Sequence, residues 1–218
     1  MRLWIAGTSG AALEVWAVAQ ALREAGDDPG LAGFLSLDGS AGFPLEGLAC
    51  MREAEFLGRV APAGAQVLLA VGDPKLRRRL DERFRAAGYT FPTLVHPAAV
   101  LGRAVRLGPG CVVMAGAVLE TSLSLGRHCL VNVQASVAHE CRIGDYCNLG
   151  PGAHLAGRVE LGDGTDAGAG SVFRPGVRLG GGMVIGCGAA VVQDWPGAMT
   201  IAGNPARQLP QADEPVRG

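Results

Sequence analysis

The feature that most constrains this chain is a period of six. From Val95 onward every sixth residue is apolar: Leu101, Leu107, Val113, Leu119, Leu125, Val131, Val137, Ile143, Leu149, Leu155, Leu161, Ala167, Phe173, Leu179, Ile185 and Val191 follow in phase, giving seventeen anchors without an insertion. Two residues before the anchor the chain is mostly small, as at Cys111, Ala117, Cys129, Ala135, Cys141, Cys147, Ala153, Thr165, Ser171 and Ala189. Residues two apart on a strand share a face, so both positions point inward. Glycine often follows the anchor, as at Gly102, Gly108, Gly126, Gly144, Gly150, Gly162, Gly168, Gly180 and Gly186. There it is expected to supply the positive φ of a sharp corner. Short strands and corners repeating every six residues describe a parallel β-helix, whose coils bury each other's apolar faces. A strict period of six cannot keep one face of a 3.6-residue helix buried.

Residues 1–94 lack this period and read as alternating strands and helices. Leu3 to Ala6 is a short strand, Gly7-Thr8-Ser9-Gly10 a tight turn, and Ala11 to Ala25 a helix stopped by Gly26. Leu31 to Leu35 is a second strand, Asp38 to Arg59 reads as irregular, and Val67 to Val71 is a buried strand. Gly72-Asp73-Pro74 then opens a helix through Ala87. The order predicts an α/β unit with a small Rossmann-like parallel sheet, followed by the all-β solenoid over 95–192 and a turn-rich tail over 193–218. The first turn is either an anion or nucleotide site at a helix N-terminus or a plain strand-to-helix connection. Gly72 lies at the end of a neighbouring strand, so the two loops can form one crevice. The solenoid is expected to end near Val191, before Trp195-Pro196, and residues 210–218 to be polar and disordered.

The net charge of -1 gives no electrostatic case for nucleic acid or an acidic membrane. The densest basic run, Lys75 with Arg77, Arg78 and Arg79, precedes Asp81 and Glu82 and reads as a solvated helix face rather than an anion site. Cys111, Cys129, Cys141 and Cys147 hold the inward small position, which fits reduced core thiols in a cytoplasmic protein. No Cys/His spacing resembles a metal site. The apolar run Leu3 to Ala6 is too short for a signal sequence or a membrane span.

Of the four histidines, His96 precedes Pro97, His128 sits in a corner and His154 points outward beside an anchor. His139 follows Val137-Ala138, where alanine replaces the corner glycine, and Glu140 comes next. The pair reads as a general base with its carboxylate, or as an ordinary surface histidine.

His-Glu-Cys-Arg-Ile-Gly at 139–144, Gly-Ala-His-Leu-Ala-Gly at 152–157, Gly-Asn-Pro-Ala-Arg at 203–207 and Ala-Val-Gly-Asp-Pro-Lys-Leu-Arg at 70–77 stand beside the two-part organisation. Together they resemble the bacterial sugar O-/N-acyltransferases of sialic-acid, bacillosamine and perosamine pathways. The resemblance implies a left-handed β-helix and a homotrimer with active sites between subunits. It also implies direct transfer from acetyl-CoA to a nucleotide-linked amino sugar, without a metal. His139 would be the general base and Glu140 its partner. Gly157 would supply an amide near the thioester carbonyl, Ala169 and Cys187 backbone for the pantetheine arm, and Asn148 a hydrogen bond to the acyl group or CoA. Gly7, Ser9, Gly10, Ala11, Ser36 and Gly72 would line the acceptor site. The chain departs from the family's pattern at Ala11 and Leu13, where histidine and lysine are usual. Ser36-Leu37 stands in place of an Asp-Asp pair, and Asn148 in place of a second histidine. The donor half of the pattern is thus kept more fully than the acceptor half. The alternatives are O-acylation, a non-nucleotide acceptor, or a trimeric scaffold without catalysis.

Overall fold

The computed structural model describes residues 1–37 and 47–210; Asp38, in the stretch read as irregular, and 211–218, in the tail read as disordered, lie outside them. Four short strands, β1 (Arg2–Ala6), β2 (Leu31–Ser36), β3 (Ala49–Arg52) and β4 (Ala65–Leu69), form a parallel sheet in the order β3-β2-β1-β4. Alternation along β1 sets the two faces. Leu3 and Ile5 meet Ala12, Val15 and Ala19 of α1 (Gly10–Glu24). Trp4 and Ala6 meet Phe56 of α2 (Glu53–Arg59) and Phe84 of α3 (Pro74–Ala86). The expectation of irregular chain up to Arg59 is corrected by β3 and α2. Both lack a readable period. β3 is an edge strand with no fully buried residue, and α2 is a seven-residue helix whose only buried residues are Glu53 and Phe56.

The solenoid turns once every eighteen residues, with two-residue strands on three faces. The first face begins at Leu94–Val95, the second at Val100–Leu101 and the third at Arg106–Leu107, each pairing in parallel with the strand eighteen residues on. The anchors and small positions fill the interior; Cys111, Cys129, Cys141 and Cys147 are fully buried. Their thiols also donate to corner carbonyls, Cys111 to Gly126 at 3.0 Å and Cys129 to Gly144 at 3.1 Å. The coil does not stop at Val191. Nor does it break at Trp195-Pro196: Trp195 bridges Leu179 in parallel on the third face, and Thr200–Ala202 then rejoins the first face beside Val184–Ile185.

The expected role of the glycine after each anchor is also corrected. Positive φ falls three residues past the anchor, at every sixth residue from Ala104 to Gly188, and alanine, serine, histidine, glutamine, glutamate, tyrosine and arginine all occupy it. The glycine beside the anchor answers to coil stacking instead. At Gly150 a Cβ would lie 2.8 Å from the Ala167 carbonyl and from the Ala169 nitrogen in the coil above.

The early coils of the first face are covered by the α/β unit, whereas Val184, further along that face, is exposed. The outward residues Val112 and Leu130 join Ala12, Val15 and Ala19 of α1 in one apolar cluster. Among the described residues no helix is long and apolar enough to cross a membrane.

Candidate active site

The column of corners between the second and third faces carries the candidate chemistry. One coil gives Glu120-Thr121-Ser122, the next Ala138-His139-Glu140, the next Ala156-Gly157-Arg158. The first and third amides of a corner pair with neighbouring coils: Ala138 donates to the Leu155 carbonyl and Glu140 to that of Thr121. The middle amide is left for a side chain or a ligand. That of His139 donates to Glu120 Oε2 at 3.1 Å. Among the described residues, the amides of Gly157, Ala169 and Cys187 have no such acceptor.

His139 Nδ1 lies 3.0 Å from Glu140 Oε2. An ionised carboxylate only accepts, which assigns the proton to Nδ1 and leaves a lone pair on Nε2. Arg158 Nη1 stands 3.8 Å from the same glutamate oxygen. The imidazole lies against Gly157, where a methyl would sit 2.5 Å from both Cε1 and Nε2. Only glycine leaves the ring its place. His139 is therefore backed by a carboxylate below, a carboxylate beside and an open amide above, and its side chain is 44% exposed.

The acceptor candidates gather at the carboxyl ends of the parallel strands, the usual ligand edge of such sheets. Gly7, Ser9, Gly10 and Ala11 join β1 to α1, buried Ser36 ends β2, and Gly72 lies between β4 and α3. Gly7 has φ +134, and its amide donates to the Leu35 carbonyl at 2.9 Å. Ser9 makes no side-chain cap to α1, and no acidic residue occupies that helix's first turn; the Ala12 and Leu13 amides donate to the Ser9 carbonyl, which leaves those of Gly10 and Ala11 open to a ligand. Ala11 is half-buried and Leu13 41% exposed.

Asn148 sits on the first face beneath Gly72, with Nδ2 2.7 Å from the Gly72 carbonyl and Oδ1 2.7 Å from Arg77 Nη2. Here the reading of the basic run is corrected. Lys75, Arg78 and Arg79 are exposed, but Arg77 is fully buried. Burial pulls its pKa down, and its guanidinium is held by carbonyls rather than a carboxylate, at 2.6 Å from both Val71 O and Tyr146 O.

Sequence reasoning also missed a buried cluster. Asp81 accepts from the Tyr146 hydroxyl and faces Arg127 Nε at 3.3 Å and His128 Nε2 at 3.1 Å. The His128 contact lies off the ring N–H line, so it is an electrostatic contact rather than an aligned hydrogen bond. Burial is the main cause that lowers the His128 pKa to about 4, against the pull of Asp81. A signal was present: His128 and Tyr146 occupy a corner position that is glycine one coil before, at Gly110, and one coil after, at Gly164. Among the described residues no three His, Cys, Asp or Glu side chains are grouped to hold a metal.

In one chain these residues fall into separate groups. His139, Glu140 and Gly157 share the corner opposite the first face, whereas Asn148 and the acceptor loops lie over that face. Ala169 and Cys187 occupy the corner between the first and second faces.

No family model matches the chain. The structure of PerB from Caulobacter crescentus, in complex with CoA and GDP-perosamine, superimposes with a TM-score of 0.87 at 31% identity over 96% of this chain and 98% of that one. The acetyltransferase domain of PglB from Neisseria gonorrhoeae, in complex with acetyl-CoA, gives 0.86 at 32% identity over 95% and 98%. Among curated proteins, the UDP-N-acetylbacillosamine N-acetyltransferase of Bacillus subtilis is 40% identical over 48 residues, a match spanning 22% of this chain and 22% of that protein. With the hexad solenoid, the sheet unit at its first face and likeness along nearly the whole length of solved members, the chain belongs to the sugar acyltransferase family that includes the perosamine and bacillosamine N-acetyltransferases.

Proposed function

We propose that this protein transfers an acetyl group from acetyl-CoA to the amino group of a nucleotide-linked sugar. One observation carries the reading: His139 has Nδ1 on Glu140 and a free Nε2 beneath the unpaired Gly157 amide. His139 Nε2 takes a proton from the acceptor amine as its nitrogen attacks the thioester carbon. The Gly157 N–H steadies the oxyanion. The C–S bond breaks as the amide forms, and the proton passes to the departing CoA sulfur. The open amides of Ala169 and Cys187 suit the carbonyls of the pantetheine arm. Residues 1–94, as a Rossmann-like unit, take the acceptor through Gly7, Ser9, Gly10, Ala11, Ser36 and Gly72. Residues 95–192, as a left-handed β-helix, take the acyl-CoA, and 193–218 form the tail.

The separation of His139 from the acceptor loops favours a homotrimer in which each site is completed by a neighbouring copy. Outward side chains agree with that assembly. The third face is charged, with Arg106, Arg142, Glu160 and Arg178. The second exposes Val100, Val118 and Val172, an apolar surface suited to a copy of itself. Reduced thiols and a nucleotide-sugar substrate fit the cytoplasm. The test is CoA release from acetyl-CoA across a panel of nucleotide-linked amino sugars, GDP-perosamine among them. Turnover that is lost in His139→Ala supports the reading; wild-type silence with CoA bound moves the acceptor elsewhere. Ala11 and Leu13 favour that second reading, an O-acyltransfer or a non-nucleotide acceptor, because the first turn offers apolar groups in place of charged ones.

A further inference from the structure

We propose that Arg77 and Asn148 form a positioning bracket that fixes the Gly72–Pro74 loop against the solenoid. Asn148 then serves the acceptor side through this loop and does not donate to the thioester. The inference rests on the transferase reading above for what the loop binds, but its geometry is independent. A guanidinium carries only donors, so the Asn148 atom 2.7 Å from Arg77 Nη2 is the amide oxygen. That settles which way the amide faces. Its Nδ2 then meets the Gly72 carbonyl at 2.7 Å and Asp166 Oδ1 at 3.3 Å, so both N–H bonds are taken within the chain. No donor remains for an acyl oxygen.

The same guanidinium spans the two parts of the molecule. Nη1 donates to Val71 O at 2.6 Å, at the end of the sheet strand, and lies 3.4 Å from Gly72 O. Nη2 donates to Tyr146 O at 2.6 Å, on the solenoid corner. Gly72 has little other support, since it is exposed and a Cβ there would meet nothing within 4 Å. Polar contacts, not packing, set where this loop stands. Asp73, which follows, accepts from Lys75 N at 2.8 Å and caps α3, so the bracket also fixes where α3 begins. Lysine at 77 would offer a point charge to one side of the junction, where the arginine fork reaches both.

The experiment compares full-length wild type with Asn148→Ala, Asn148→Asp and Arg77→Lys. Asn148→Asp keeps an acceptor for Arg77 but loses the donor to Gly72 and faces Asp166 with a like charge. Amide hydrogen exchange over 70–76 is expected to quicken about tenfold in each variant, as a lost hydrogen bond to a buried charge or loop carbonyl implies. In Asn148→Ala the KM for the accepted nucleotide sugar is expected to rise about tenfold. The KM for acetyl-CoA and the calorimetric Kd for CoA should stay within twofold. Unchanged exchange over 70–76, or a CoA Kd weakened tenfold or more, overturns the bracket and returns Asn148 to the donor site. If wild type neither binds CoA nor turns over any sugar, the transferase reading fails, and exchange alone decides the bracket.

Discussion

His128 and His139 both stand at corners of the solenoid with a carboxylate oxygen close to a ring nitrogen, at 3.1 Å and 3.0 Å. They differ in everything else. His128 is fully buried, stacked on Tyr146 with ring centroids 5.7 Å apart, edge-on to Phe91 at 4.6 Å and flanked by Arg127. Desolvation outweighs the attraction of Asp81 there, and the ring stays neutral to about pH 4. His139 keeps nearly half its side chain open, which leaves its unpaired nitrogen within reach of a substrate. A histidine beside an acid is thus a packing element in one coil and a candidate base in the next, and solvent access makes the difference.

The widest separation between the two is expected in activity. His139→Ala should lower kcat about a thousandfold, within the range for losing a general base, while leaving the thermal midpoint within a few degrees. His128→Asn, a residue that tolerates the left-handed corner, should fold and retain turnover within severalfold. Equal losses of activity in both would collapse the contrast. Stability should separate them in the opposite sense. The folded His128 pKa of about 4 lies below the ordinary 6.5, so the unfolded chain binds the extra proton between these values. Stability from this group is complete above about pH 6.5 and is lost as pH falls towards 4, a change of about 3 kcal/mol. Urea midpoints measured from pH 7.5 to 4.5 should show this slope in wild type and lose it in His128→Asn. A slope that survives in the variant assigns the acid sensitivity to other groups.

The same contrast marks what the sequence could reveal. The solenoid was legible because its partners are repetitive: each anchor meets the residue eighteen positions on, whatever the rest of the chain does. The partner of His139 was legible because Glu140 is its chain neighbour. That of His128 was not, because Asp81 comes from a helix 47 residues earlier, and no local period links them. Arg77 failed in the same way. In a run with Arg78 and Arg79 it looks solvated, yet its acceptor at Tyr146 lies 69 residues away. The glycines after the anchors misled for a different reason. Their need is set by the next coil's backbone, a steric demand that composition presents in the same form as a conformational one. β3 and α2 were too short to show a period at all.

Smaller effects sharpen the picture of the His139 corner. Gly157→Ala puts a methyl where the imidazole lies, and a displaced base should lower kcat by up to about a hundredfold. A crystal structure of the variant should show the ring swung from its place. Glu140→Gln keeps a hydrogen-bonding oxygen for Nδ1 but removes the charge that steadies the imidazolium during transfer, so kcat should fall about tenfold with the acetyl-CoA KM unchanged. Arg158 should matter least. Its 3.8 Å contact with Glu140 joins side chains 61% and 58% exposed, and solvent screens such a pair to near nothing. Arg158→Gln is expected to change kcat less than twofold. A tenfold loss would mean that the corner is dehydrated when the protein is assembled. That outcome would make Glu140 resemble Asp81 more than its exposure here suggests, and it would narrow the difference between the two histidines to how far a substrate can reach the ring.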